Sequence, residues 1–173
     1  MTDMHAAAAN GDVETLLASC EAGCDVNCKR SKNDPVTPLH LAAKNGHTEA
    51  LQALLKHGAN VRLGSSFRTP LHEAAGKGQL ATARLLLAAG ANVDQGTQDE
   101  HLTPLHLAAM GGHVEVVRLL LEWKAAVGTK TVLGETPLHY AASYGHVAAV
   151  RLLCENGAPL DTAGKRVETP LHF

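Results

Sequence analysis

Aromatic side chains are nearly missing from this chain: two phenylalanines, two tyrosines and one tryptophan make up 3% of its 173 residues. Since 45% of the residues are still apolar, the core has to be built from alanine and leucine, and such small side chains imply thin, closely stacked helices. An excess of charge is missing too. Fifteen basic residues against seventeen acidic ones leave a formal charge of −2, too little to draw in a nucleic-acid backbone or an anionic membrane. No apolar run approaches the length of a membrane span. The N-terminus, with an acid at Asp3, runs straight into a helical pattern and lacks the basic region and apolar stretch of a signal peptide. Four cysteines without a secretory context point to a reducing compartment, cytoplasmic or nuclear. Nucleophile-elbow, phosphate-loop, paired-carboxylate and His-Glu-x-x-His patterns are all lacking.

What the chain does have is repetition. Thr-Pro-Leu-His occurs at Thr37–His40, Thr69–His72, Thr103–His106, Thr136–His139 and Thr169–His172, at successive spacings of 32, 34, 33 and 33 residues. Thr2–His5 is a degenerate copy one period upstream. A near-constant period of this size is the mark of a solenoid, and it leaves no room for a separate catalytic domain.

The unit Thr103–Glu135 shows the physics of one period. Thr103 can cap a helix that opens with Pro104, where the missing N–H costs nothing, and Leu105, Leu107 and Ala108 give that helix an apolar face. Gly111 and Gly112 stop it. From Val114 to Trp123, Val116, Val117, Leu120 and Leu121 recur at helical spacing with Glu115, Arg118 and Glu122 outward, so a second, antiparallel helix follows. Two short helices cannot bury their own faces. A turn-rich segment through Gly134 carries the chain about 8–10 Å sideways to the next copy, and stacking makes the faces dry.

The run Thr-Pro-Leu-His-Leu-Ala-Ala, then Gly-His-x-Glu-x-Val-x-Leu-Leu-Leu, then Gly-Ala-Asn/Asp-Val-Asn/Asp resembles the ankyrin repeat. The match spans 1–173 as one domain of five repeats, 1–36, 37–68, 69–102, 103–135 and 136–168, with a partial sixth at 169–173. The resemblance implies an all-α solenoid of helix-turn-helix units with β-hairpin-like finger loops, and a concave recognition surface formed by the fingers and first helices. It implies a protein partner and no catalysis. No cofactor, metal, nucleic acid, membrane insertion or small-molecule substrate is expected.

Histidine and cysteine clusters are explained by the same register. Of eleven histidines, those in Thr-Pro-Leu-His and in its degenerate copy stand where the family's imidazole bonds at a helix start and between neighbouring units. His47, His113 and His146 follow the interhelical glycine, again one per unit. A zinc ion needs ligands converging on one point, whereas a repeated position sets them along a line. Cys20, Cys24 and Cys28 are spaced as Cys-x3-Cys-x3-Cys, but Cys24 and Cys28 occupy the two alanine positions of Gly-Ala-Asp-Val-Asn-Ala and are expected to be small buried substitutes. Cys20 and Cys154 share one repeat position four units apart, on the order of 30–40 Å by helix-packing spacing, which is outside disulfide reach.

Residues that differ between repeats at exposed positions carry the specificity. One set closes the first helix: Ala9 and Asn10, Lys44 and Asn45, Gly76 and Lys77, Met110 and Gly111, Ser143 and Tyr144. A second lies on the fingers and includes Phe67, Arg68, Val132, Leu133, Lys165 and Arg166. The candidate partner-binding residues are Lys44, Asn45, Phe67, Arg68, Lys77, Met110, Val132, Leu133, Tyr144, Lys165 and Arg166. Phe67, Met110, Val132, Leu133 and Tyr144 are apolar or aromatic where loops are usually polar, the composition of an interface centre; Phe67 and Leu133 can instead tuck onto neighbouring fingers. Trp123-Lys124 replaces pairs such as His57-Gly58 and Ala89-Gly90, so either the turn is altered or Lys124 bears a left-handed strain of about 1–2 kcal/mol. Trp123 either covers that turn or marks a second, convex contact surface.

The expected function is a protein–protein interaction module acting as adaptor, scaffold or inhibitor. The alternative is a structural subunit of a large assembly, or the targeting arm of a longer multidomain protein. The first unit resembles a polar cap, with Asp3, Asp12 and Glu14 early in it. The far end, stopping at Phe173 inside a sixth unit, is expected to continue as a longer repeat protein or to meet another chain.

Overall fold

The structure, a computed structural model, describes residues 3–31, 35–64 and 68–161. Among the described residues it is all-helical, with no strand. Ten helices follow in order: α1 (Met4–Asn10), α2 (Val13–Glu21), α3 (Pro38–Asn45), α4 (Thr48–Lys56), α5 (Pro70–Gly76), α6 (Leu80–Ala88), α7 (Pro104–Met110), α8 (Val114–Glu122), α9 (Pro137–Ser143) and α10 (Val147–Glu155). Only two or three residues join the helices of each pair, so the partners run antiparallel. The chain divides into two compact units. Unit 1 comprises Met1–Ala74 and Gln79–Asn92, and unit 2 comprises Ala75–Gly78 and Val93–Phe173.

In unit 1, α1 packs on α3, α2 on α4, and α4 on α6. In unit 2, α7 packs on α9 and α8 on α10. First helices therefore stack on first helices and second on second. The largest fully buried side chains are all leucines, among them Leu16, Leu51 and Leu86 in unit 1 and Leu105, Leu120 and Leu153 in unit 2. Alanines such as Ala8, Ala43, Ala108 and Ala141 are fully buried between them, which lets short helices approach closely and explains why a core so poor in rings still packs.

Each first helix starts with a histidine latch. In α7 the Thr103 N–H donates to Nδ1 of His106 at 3.1 Å, and the Thr103 hydroxyl lies 2.8 Å from the same nitrogen. Because Nδ1 accepts, the ring proton sits on Nε2, which donates at 3.2 Å to the carbonyl of Glu135, the last residue of the same repeat and the one before Thr136. His40 makes the same bonds to Thr37 and to the Arg68 carbonyl, and His5 reaches the Val36 carbonyl at 3.1 Å. Asp3 replaces threonine as the cap of α1, accepting from the His5 N–H, and Asp12 caps α2 through the Thr15 N–H. His106 is fully buried, so removing its ring strands a donor and an acceptor away from water. His106→Ala is expected to lower stability by about 3 kcal/mol, read as a shift in the urea midpoint at unchanged slope.

The interhelical histidines form a second set of links. Nε2 of His47 lies 2.9 Å from the Ala9 carbonyl, His113 is 3.3 Å from that of Gly76, and His146 is 3.0 Å from that of Met110. Their rings lie against the preceding interhelical glycine. A Cβ added to Gly112 (φ +66°) would sit 2.5 Å from His146 Nδ1, so both the space and the left-handed backbone require glycine there.

Lys124 resolves the question its sequence poses. Its φ is +65°, against +86°, +88° and +80° at Gly58, Gly90 and Gly157. The hydrogen bonds that end the helix are kept, Lys124 N–H to Leu121 and Ala125 N–H to Leu120, both at 2.9 Å. The turn is therefore unaltered and the strain is borne. Trp123 beside it is 42% exposed, so the tryptophan only half covers its surroundings. Lys124→Gly should relieve the strain and stabilise by about 1 kcal/mol, seen as a rise of roughly 2–4 °C in melting temperature.

Candidate functional site

In unit 2, α7 and α9 present the ends of the first helices. Tyr144 follows α9 directly, is 60% exposed, and stacks on the His146 ring with centroids 6.3 Å apart and planes 9° from parallel. His146 in turn bonds the carbonyl of Met110, whose side chain is half-buried at the end of α7. The His146 ring thus meets both the Tyr144 ring and the Met110 backbone carbonyl.

The fingers of unit 2 are tight turns. In the first, Thr97 N–H donates to the Leu102 carbonyl and Leu102 N–H to the Thr97 hydroxyl. In the second, Thr131 N–H donates to the Glu135 carbonyl and Glu135 N–H to the Thr131 hydroxyl. Val132 N–H donates to the Glu100 carbonyl at 3.0 Å and ties the two together. Leu102 is buried, while Val132 and Leu133 are 48% and 44% exposed, so Leu133 does not tuck away. Helix α9 has seven residues, which puts this finger and Tyr144 about 10 Å apart along its axis. Lys77, also in unit 2, is exposed.

Unit 1 holds Lys44, Asn45 and Arg68. Lys44 and Asn45 are exposed at the end of α3, and Asn45 donates from Nδ2 to the Ala9 carbonyl at 2.7 Å. Arg68 is half-buried; its carbonyl receives the His40 latch and its guanidinium lies 4.0 Å from the Glu73 carboxylate. Phe67, Lys165 and Arg166 lie outside the described residues, as do Asn33, Asp34, Ser65, Ser66 and the segment Thr169–Phe173.

Sequence reasoning passes over Tyr140. It occupies the position of Leu41, Glu73 and Leu107 within the first helix and reads there as part of the framework. In the structure its ring meets His106 edge-on, with centroids 5.7 Å apart, and its hydroxyl lies in the field of the Glu135 and Glu100 carboxylates. Burial and the carboxylates of Glu135 and Glu100 hold that hydroxyl well above the usual tyrosine range. The signal in the sequence is a polar side chain at both repeat positions, Glu135 with Tyr140, mirrored by Arg68 with Glu73.

Stacked helix pairs with buried histidines at their first-helix starts, and with helix ends and fingers that differ from repeat to repeat, define a helical repeat solenoid. A family model described as ankyrin repeats (3 copies) matches residues 4–97 and 92–164. The chain belongs to the ankyrin-repeat family, and its fold is the ankyrin-repeat solenoid. Among solved structures it is similar to the human ASB11 ankyrin repeat domain, with 33% identity and a TM-score of 0.88 over 99% of this chain and 76% of that one. A comparison with curated protein sequences gave no match. Ankyrin repeats are generally protein–protein interaction modules and not typically enzymes. Among the described residues, no helix is long and apolar enough to cross a membrane, and no group of three or more His, Cys, Asp or Glu is placed to hold a metal ion.

The cysteines need one correction. Cys24 is exposed and Cys28 half-buried, whereas Ala59, Ala125 and Ala158, at the position of Cys24, are 8%, 8% and 7% exposed. Those alanines lie against the repeat before them: Asn60 N–H bonds the Asn27 side chain, and Gly128 faces Pro159. Cys24 belongs to the first repeat and has no such neighbour among the described residues. Burial raises the Cys20 and Cys28 thiols above their usual pKa, with smaller contributions from nearby acids and from Cys24. A raised pKa means less thiolate at a given pH. Iodoacetamide at pH 7.5 should therefore label Cys20 and Cys28 several-fold more slowly than free glutathione, with rates still rising above pH 9, as read by peptide mass mapping.

Proposed function

We propose that this chain works as an adaptor, scaffold or inhibitory module, and that a protein partner docks on its first-helix ends and fingers. The observation that carries this reading is Tyr144: a large aromatic side chain that is 60% exposed yet held in one orientation by its stack on His146. Exposed aromatics of this kind serve as interface anchors, and prior ordering lowers what association must spend on immobilising them. Met110, Val132 and Leu133 extend the apolar part of the surface. Lys44, Asn45 and Arg68 are the candidate polar contacts of unit 1, and Lys77 that of unit 2. Phe67, Lys165 and Arg166 join the surface on sequence grounds. The solenoid needs no cofactor for this task, because recognition uses a preformed surface.

Affinity capture with the wild-type chain, Tyr144→Asp, and Tyr144→Asp combined with Met110→Asp tests the proposal. A partner retained by the wild type should bind the single variant at least thirtyfold more weakly, equivalent to about 2 kcal/mol for an interface anchor. The melting temperature of the single variant should move by no more than a few degrees. Equal retention by all three chains would contradict the assignment of Tyr144 to the contact surface.

A further inference from the structure

The fingers of unit 2 differ in charge from those of unit 1. In unit 1 the described finger residues include Lys29, Arg30, Arg62 and Arg68; in unit 2 they include Asp94, Asp99, Glu100 and Glu135, with Lys130 as the single lysine among residues 93–102 and 126–135. Glu100 and Glu135 border the exposed pair Val132 and Leu133. The Val132 N–H bond to the Glu100 carbonyl and the Thr131 bonds to Glu135 fix both borders. Tyr140 lies near both carboxylates, and burial together with their charges holds its hydroxyl above the usual tyrosine range. Neither Glu100 nor Glu135 forms an ion pair with a described residue.

We propose that this patch, Val132 and Leu133 rimmed by Glu100 and Glu135, docks a segment of a partner protein that carries an arginine or lysine beside an apolar side chain. The inference rests on the reading of the chain as a protein-binding module and specifies the partner's chemistry. The apolar pair gives the segment a dry contact, while the two carboxylates select its charge and repel acidic competitors. The backbone of Glu135, held at both its N–H and its carbonyl by Thr131, sets where one carboxylate is anchored. Because each finger is braced by its own threonine, the patch is formed before the partner arrives. Lys130, exposed on the same finger, favours a segment whose cation meets the carboxylate side of the patch.

The test is selection of a randomised phage-displayed peptide library on the intact chain, followed by fluorescence anisotropy with the most enriched peptide. Enriched sequences should combine basic and apolar residues. Their affinity should fall as salt rises, and should drop about tenfold on Glu100→Lys and similarly on Val132→Ser with Leu133→Ser. Should the double serine variant lose its cooperative melt, Glu100→Gln serves in its place, since that side chain is exposed. Enrichment of acidic or uncharged peptides, binding indifferent to Glu100→Lys, or no enrichment would overturn the proposal. So would sedimentation showing a wild-type dimer that Glu100→Lys dissociates, because the occupant would then be a second copy. Any of these results, alongside a partner still captured through Tyr144, would leave the module reading standing and remove only the basic and apolar character assigned to the partner segment.

Discussion

The histidine that opens each first helix is the contact on which the rest of the structure depends. One ring nitrogen accepts from the threonine N–H that begins its own helix, and the other donates to the carbonyl at the junction with the next repeat, as His106 does with Thr103 and Glu135. A single buried imidazole thus caps a helix and couples repeats, and only the neutral Nε2–H tautomer satisfies both bonds. Apolar stacking provides most of the driving force for such short helices, but it is nondirectional. The latch supplies direction: it fixes the spacing of the next finger relative to the helix it follows.

That arrangement separates framework from surface. Latch histidines, interhelical histidines, leucines and alanines are occupied by inter-repeat packing. Most finger-tip and first-helix-end side chains have no such duty and differ from repeat to repeat, Asn45 with its bond to the Ala9 carbonyl being an exception. The same framework also determines how variable residues are displayed. Tyr144 stacks on His146, an interhelical latch, and Glu135, which borders the exposed finger pair, gives its carbonyl to the His106 latch. Recognition residues are therefore preorganised by the groups that hold the repeats together, which is how a small, ring-poor chain can present a defined surface.

Much of this was legible in the sequence, since a repeated motif reports its own contacts several times. The helix pairs, the structural use of His40, His106 and His139, the left-handed demand on Lys124 and the exposure of Tyr144 all follow from comparing equivalent positions. Three points were not legible. Arg68 reads as a loop cation, but its pairing with Glu73 depends on a substitution five residues away within the next helix. Tyr140 reads as framework because its neighbours in sequence are framework; its nearness to Glu135 and Glu100 exists only once the finger folds back. Cys24 shares a position with the buried Ala59, Ala125 and Ala158 and the half-buried Ala91, and repeat register does not report how far each copy is covered.

Hydrogen exchange on the free chain, resolved to single amides, tests the division of labour most directly. If the latches couple the repeats, the amides of Thr37, Thr103 and Thr136, which donate to the ring nitrogens of His40, His106 and His139, exchange as slowly as the leucine amides within the helices, while the Glu100 and Leu133 amides at the finger tips exchange faster. Threonine amides that exchange at the rate of the finger tips would contradict the account, because the latches would then open without disturbing the stack.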